Sequence, residues 1–159
     1  MDNRIIRLTF VENLKHIEIM IQLKIDELRQ NAMNLIEKYI DKLDADHLIT
    51  FEGLLTDEKN LSIESDFFDK DVRYNLNLCI EILTNLESRN VLTETEMIEF
   101  DEICIISLKV MSFNKKIGDL ILYKNQPYMI TDIDVDNYSL HISYDLDENG
   151  FWIDFDEVE

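Results

Sequence analysis

A chain of 159 residues with 34 Asp and Glu against 15 Lys and Arg carries a formal net charge of −19. Such a surface repels nucleic acid and anionic lipid, so direct capture of either is excluded, and long-range steering favours encounter with basic proteins. Hydrophobic residues make up 46% of the chain, too many for a solvated acidic tail and enough for one domain or a helical domain with a small appendage.

No basic segment followed by an apolar run opens the sequence, and the uninterrupted apolar runs are far shorter than the ~20 residues that span a bilayer. A cytoplasmic protein without a membrane anchor is the expectation. Cys79 and Cys104 fall in helical apolar patterns, spaced neither for zinc nor for a redox pair, and are expected to be buried reduced thiols.

Thr9-Phe10-Val11-Glu12 has the form of a capping box. After it Leu14, Ile17, Ile21, Ile25, Leu28, Ala32, Leu35 and Tyr39 recur at steps of three or four. That spacing predicts one long helix to about Leu43, or one broken near Gln30-Asn31. Lys24, Asn31 and Lys38 interrupt one side of the seam. A regular coiled coil is therefore not supported, although a homodimer through this helix is one option. Asp46 is expected to cap a short helix through Leu55, followed by a polar connector over 56–70. A third helix from about Asp71 would turn Val72, Leu76, Cys79, Ile80, Leu83 and Leu86 inward. Thr93-Glu94-Thr95-Glu96 is a second capping box, launching a fourth helix through Ile98, Ile103, Ile106 and Val110 with an end near Phe113.

Beyond Asn114 the period drops from 3.6 to 2. Segments 119–123, 128–133, 139–144 and 152–155 read as strands, with turn chemistry at Asn125-Gln126-Pro127 and Asp136-Asn137. The fold class expected is α+β: a bundle of about four helices over 1–113, the first long, then an acidic antiparallel meander or small barrel over 114–159.

Three kinds of chemistry compete for the acidic C-terminal region. Asp145, Asp147, Asn149 and Gly150 stand at positions one, three, five and six of an EF-hand-type loop, with Asp156 at position twelve. An Asp reaches less far than the usual terminal Glu, and strand-like flanks with Trp152 at position eight favour a hairpin over a calcium loop. Asp132-Ile133-Asp134-Val135-Asp136 also matches an acidic metal pattern, but alternation explains it better, with Ile133 and Val135 inward and the carboxylates outward. Catalytic signatures fare worse. His16, His47 and His141 are scattered, and no nucleophile elbow, phosphate loop or dinucleotide fingerprint occurs. The expectation is a protein that is not an enzyme and needs no cofactor.

Charge placement is more informative. Beyond Lys124 there are many carboxylates and no Lys or Arg. Like charges on neighbouring strand positions destabilise a sheet, and a chain seeking solubility alone would mix signs. The expected partner-binding residues are Asp132, Asp134, Asp136, Asp145, Asp147, Glu148, Asp154, Asp156 and Glu157, acting as phosphate surrogates toward Arg and Lys.

Two resemblances add to this reading. The stretch I-G-D-L-I-L-Y-K-N-Q-P-Y-M-I-T-D-I-D, residues 117–134, resembles the opening hairpin of small β-barrels of the KOW and Tudor kind. The likeness extends over 117–156 and implies binding of nucleic acid or protein; the missing basic residues point to protein. In size, acidity, absence of catalytic motifs and Ile/Asn/Lys-rich composition, the whole chain resembles small inhibitors from phages and mobile elements, anti-CRISPR and anti-restriction proteins among them. That likeness implies a basic nucleic-acid-binding partner such as a CRISPR effector or nuclease, met in the host cytoplasm. An immunity protein or antitoxin against a toxin nuclease is the alternative, and a calcium-binding module through residues 145–156 is another.

Overall fold

The computed structural model of the chain describes residues 3–61, 71–145 and 149–158, with backbone alone for 3–14, 58–61 and 71. Helices α1 (Asn3–Glu37), α2 (Ala45–Leu61), α3 (Asp71–Ser88) and α4 (Glu94–Ser112) come first. Strands β1 (Leu120–Tyr123), β2 (Gln126–Asp134), β3 (Ser139–Ser143) and β4 (Phe151–Asp154) follow. The protein is therefore α+β, with its helices N-terminal and an antiparallel meander C-terminal. The sheet order is β1-β2-β3-β4, an open meander among the described residues. No helix among them is long and apolar enough to cross a membrane. The chain divides into two compact units, one of residues 22–108 and one of residues 1–21 with 109–159.

The helical unit is built on the periodic faces. From α1, Ile25, Leu28, Ala32, Leu35 and Ile36 are buried, with Phe51 and Leu54 of α2 and Leu76, Leu83 and Leu86 of α3. Each large side chain removed from water contributes about 1.5–3 kcal/mol. Helix α1 already runs at Asn3, so Thr9 lies inside it rather than at its start. It passes through Gln30 and Asn31 without a break and ends at Glu37, where a 3-10 turn over Ile40–Lys42 takes over. The cap of α2 is Asp44, two residues before the expected Asp46: its carboxylate accepts the His47 backbone N–H at 2.9 Å. Helix α2 continues past Leu55 and Gly53 to Leu61. Residues 62–70 of the expected connector lie outside the described residues.

Asn90, at φ 54°, closes α3. Its N–H reaches the Glu87 carbonyl at 2.9 Å and the Val91 N–H reaches Leu86 at 3.2 Å, the paired bonds of a Schellman cap. The second capping box forms as expected. The Thr93 N–H donates to Glu96 Oε2 at 2.9 Å, and the Glu96 N–H donates to Thr93 Oγ1 at 3.3 Å. The same Glu96 carboxylate receives the Tyr39 hydroxyl, tying the end of α1 to the start of α4. On α4, Phe100, Ile103 and Val110 are buried, whereas Ile98 faces solvent. Cys79 is buried as expected; Cys104 is only half-buried.

In the sheet unit, Ile121 opposes Tyr128, Ile130 opposes Ile142, Ile133 opposes Leu140, and Leu140 opposes Ile153. These residues share one face, and all but Tyr128 are buried. Phe113, just after α4, stacks on Phe155 with ring centroids 4.1 Å apart. The β1–β2 turn is Lys124-Asn125, both at positive φ, so Gln126 and Pro127 already belong to β2. Positive φ at two adjacent positions matches the twist of a two-residue hairpin. Gly118, at φ +94°, lets the chain enter β1 while its N–H bonds the Ile130 carbonyl at 2.8 Å.

Candidate functional site

Strict alternation along β2 would place Ile130 and Asp132 on the same face. The structure separates them with a β-bulge. Ile130 pairs with Ile142 and Asp132 pairs with His141, which leaves Thr131 as the extra residue. After the bulge Ile133 and Val135 are buried, while Asp132 and Asp134 face outward. The Thr131 hydroxyl donates to the His141 carbonyl oxygen at 3.1 Å, and its oxygen lies 2.6 Å from His141 Nδ1. Trp152, opposite His141 in the register, meets the imidazole edge-on at 5.2 Å between centroids. Gly150 leaves room for this ring: a Cβ there would stand 2.1 Å from His141 Cε1 and 2.8 Å from the Ile142 carbonyl oxygen.

The outward face is ordered by that register. Leu122 and Pro127 oppose each other at one end, Leu120, Met129 and Ser143 form the next row, Asp132, His141 and Trp152 the one after, and Asp134, Ser139 and Asp154 the last. The strands contribute no Lys or Arg to it. Beside its acidic end lies a groove of about 340 Å³. Asp132, Asp134, Asp136 and Trp152 line it, together with His16 and Met20 of α1.

The expected partner-binding residues divide into distinct settings. Asp132 and Asp134 lie on the outward face, and Asp136 lies in the turn after β2. Part of their charge has local structural use. Asp132 accepts the Ile133 N–H at 2.8 Å. Asp134 accepts the Asn137 N–H at 3.1 Å and its side-chain amide at 2.7 Å. Those bonds, the side-chain amide first, hold the Asp134 carboxyl below the usual carboxylate range. Asp154 shares the outward face, but Asp156 and Glu157 sit in a 3-10 turn over Phe155–Glu157, where Glu157 accepts the Asp154 N–H at 2.8 Å. Asp145 follows β3 at the exposed end of the sheet. Asp147 and Glu148 lie outside the described residues.

Part of the negative charge beyond Lys124 is relieved from outside that segment. Lys109 of α4 reaches Asp154 at 3.7 Å and Asp156 at 3.6 Å. A cation distant in sequence thus neutralises part of the segment. For the calcium alternative, Asp156 is held in the turn beside Lys109 and Asp147 is not described. Among the described residues no group of three or more His, Cys, Asp or Glu gathers as a metal site.

Sequence reading missed Thr131, His141, Gly150 and Trp152 as the set that builds this face. One signal was present: Ile130 and Ile133 stand three apart in a segment of period two, which calls for a bulge when both are buried. No protein-family model, no curated protein and no solved structure matches the chain.

Proposed function

We propose that the protein is a non-enzymatic inhibitor of a basic, nucleic-acid-handling protein, with carboxylates in place of phosphates. On this reading it acts as a phage-encoded anti-defence protein of the anti-CRISPR or anti-restriction kind, in the host cytoplasm, on a CRISPR effector or nuclease. The observation that carries the reading is the outward sheet face, where Asp132, Asp134 and Asp154 converge on strands that bring no Lys or Arg. Carboxylates presented on a rigid ladder accept paired hydrogen bonds from guanidinium groups with little loss of side-chain freedom.

Spacing sharpens it. Asp132 and Asp134 lie ~6.6 Å apart along β2, and two strand separations put Asp154 ~10 Å from Asp134. Duplex DNA carries a charge every ~1.7 Å. The face therefore imitates a few phosphates, suited to a discrete cluster of Arg and Lys rather than a whole DNA channel. The net charge of −19 supplies the steering.

The test is capture of a partner from bacterial lysate at low salt, with duplex DNA as competitor. DNA should displace the partner, and reversal at Asp132, Asp134 and Asp136 to Lys should weaken the complex and flatten its salt dependence. Affinity unchanged by both would overturn the assignment.

A further inference from the structure

We propose that the outward sheet face docks a basic protein segment that sets an aliphatic side chain on Leu120 and Leu122 and an arginine on the indole of Trp152. This deepens the reading above and rests on it. Leu120 is 73% exposed, Leu122 49% and Trp152 49%, and the register places all three on one face with Asp132 and Asp134. A face that only imitated phosphates would be acidic throughout. This one grades from an aliphatic end on β1, through an exposed indole, to carboxylates at the far end of β2 and on β4.

Each part selects a feature of the occupant. The aliphatic end gains by covering two leucines that otherwise face water. Trp152 offers a π-face beside carboxylates, which favours a planar guanidinium over an ammonium because Arg stacks and bonds carboxylate at once. From the Leu120–Met129 row to the row of Asp132 and Trp152 is about two pleat steps after the bulge, ~7 Å, and β1 to β4 is three strand separations, ~14 Å, so Leu120 and Trp152 lie ~16 Å apart. The segment's aliphatic and arginine anchors should be separated by that distance. A second copy of the chain is a poor occupant, since it would bring a further charge of −19 to an already acidic face.

Trp152 is the single tryptophan of the chain, so its fluorescence reports occupancy directly. The intact protein is titrated at low salt with short blocked peptides that carry Leu and Arg, Ser and Arg, or Leu and Lys at the two anchor positions of one face. The Leu–Arg peptide should quench Trp152 and bind roughly 3- to 30-fold more tightly than either of the others. Replacing Leu120→Ser and Leu122→Ser together should erase the preference for Leu over Ser. Trp152→Leu, followed by calorimetry, should erase the preference for Arg over Lys. Circular dichroism verifies that each variant is folded, and Asp132→Asn, near in shape to the parent, provides an independent loss of affinity. Equal binding of all three peptides overturns the inference and leaves the acidic-inhibitor reading standing. Binding of none overturns both. Self-association without peptide, abolished by Leu120→Ser, overturns it in favour of a second copy.

Discussion

Lys109 supplies a cation to carboxylates of its own unit, and its removal tests how much of that unit's acidity is held internally. Its ammonium lies 3.7 Å from Asp154 and 3.6 Å from Asp156. At water-like dielectric a pair at this range is worth ~1 kcal/mol by Coulomb's law. The carboxylates are 55% and 58% exposed, so measured surface values of about 0.2–1 kcal/mol per pair apply. The Lys109 side chain is only 21% exposed, so Met is the replacement that keeps the packing of its stem. Lys109→Met should cost ~1 kcal/mol, because two carboxylates are also left to repel each other. With a urea slope of about 1–3 kcal/mol per molar, the midpoint should fall by ~0.3–1 M. In ~1 M salt, where screening acts within ~3 Å, the loss should shrink to less than half. The same variant should bind a basic peptide more tightly, by roughly 2- to 5-fold, since a competing internal cation is gone. A variant as stable as the parent at low salt, or a loss indifferent to salt, would refute the ion-pair account.

Gly150→Ala should destabilise the sheet unit by about 1–3 kcal/mol through overpacking against His141. Adding His141→Ala should restore only part of it, because the Ile142 carbonyl oxygen stays 2.8 Å away. Gly53→Ala, inside α2 with nothing near its Cβ, should stabilise by up to about 1 kcal/mol; urea midpoints measure both, and a neutral Gly150→Ala contradicts the packing argument. The Asp44 carboxyl lies below its usual value, first through the His47 backbone N–H and then through the His47 side chain. A depressed folded-state pKa gives stability present above the unfolded value and lost as pH falls through the folded one. Asp44→Asn should therefore flatten the acid limb of the stability profile below about pH 4, and coincident limbs for the two proteins would remove this linkage. Burial pushes the Cys79 thiol up to about 12, and burial likewise raises that of half-buried Cys104. At mildly alkaline pH a disulfide reagent should titrate Cys104 slowly and Cys79 only after unfolding; rapid loss of both thiols from the native protein counts against that burial.

Elements whose signal is local were legible in the sequence. The Thr93-to-Glu96 capping box is a contact between residues three apart, and it forms as written. The inward set of α3 held for Val72, Leu76, Cys79, Leu83 and Leu86 because one stripe at helical period fills one core. Local signals misled where a competing arrangement bonded the same groups. Thr9-to-Glu12 has a capping pattern, but the helix already running from Asn3 absorbs it. Asp44 captured the cap expected of Asp46 because its carboxylate reaches both the His47 N–H and the His47 ring. The outward face was legible in part. Alternation turned Asp132 and Asp134 outward, but the row through His141 and Trp152 depends on strand pairing, which a single strand does not encode.

The carboxylates beyond Lys124 divide by role once the sheet is assembled. Counting carboxylates after Lys124 merges groups that do different work. Asp154 and Asp156 are bridged by Lys109, and Asp134 closes the turn to Asn137. Reversal at Asp154 would therefore place two cations together and disturb the fold as well as any complex. Asp132 bonds only the adjacent Ile133 N–H among the contacts described, lies in the row with Trp152, and lines the groove beside it. Reversal at Asp132 thus separates binding from stability more cleanly than reversal at Asp154. If Asp132→Lys abolishes binding of a basic peptide while the urea midpoint stays put, the carboxylates act on a partner. If midpoint and binding fall together, the acidity of this face serves the sheet first.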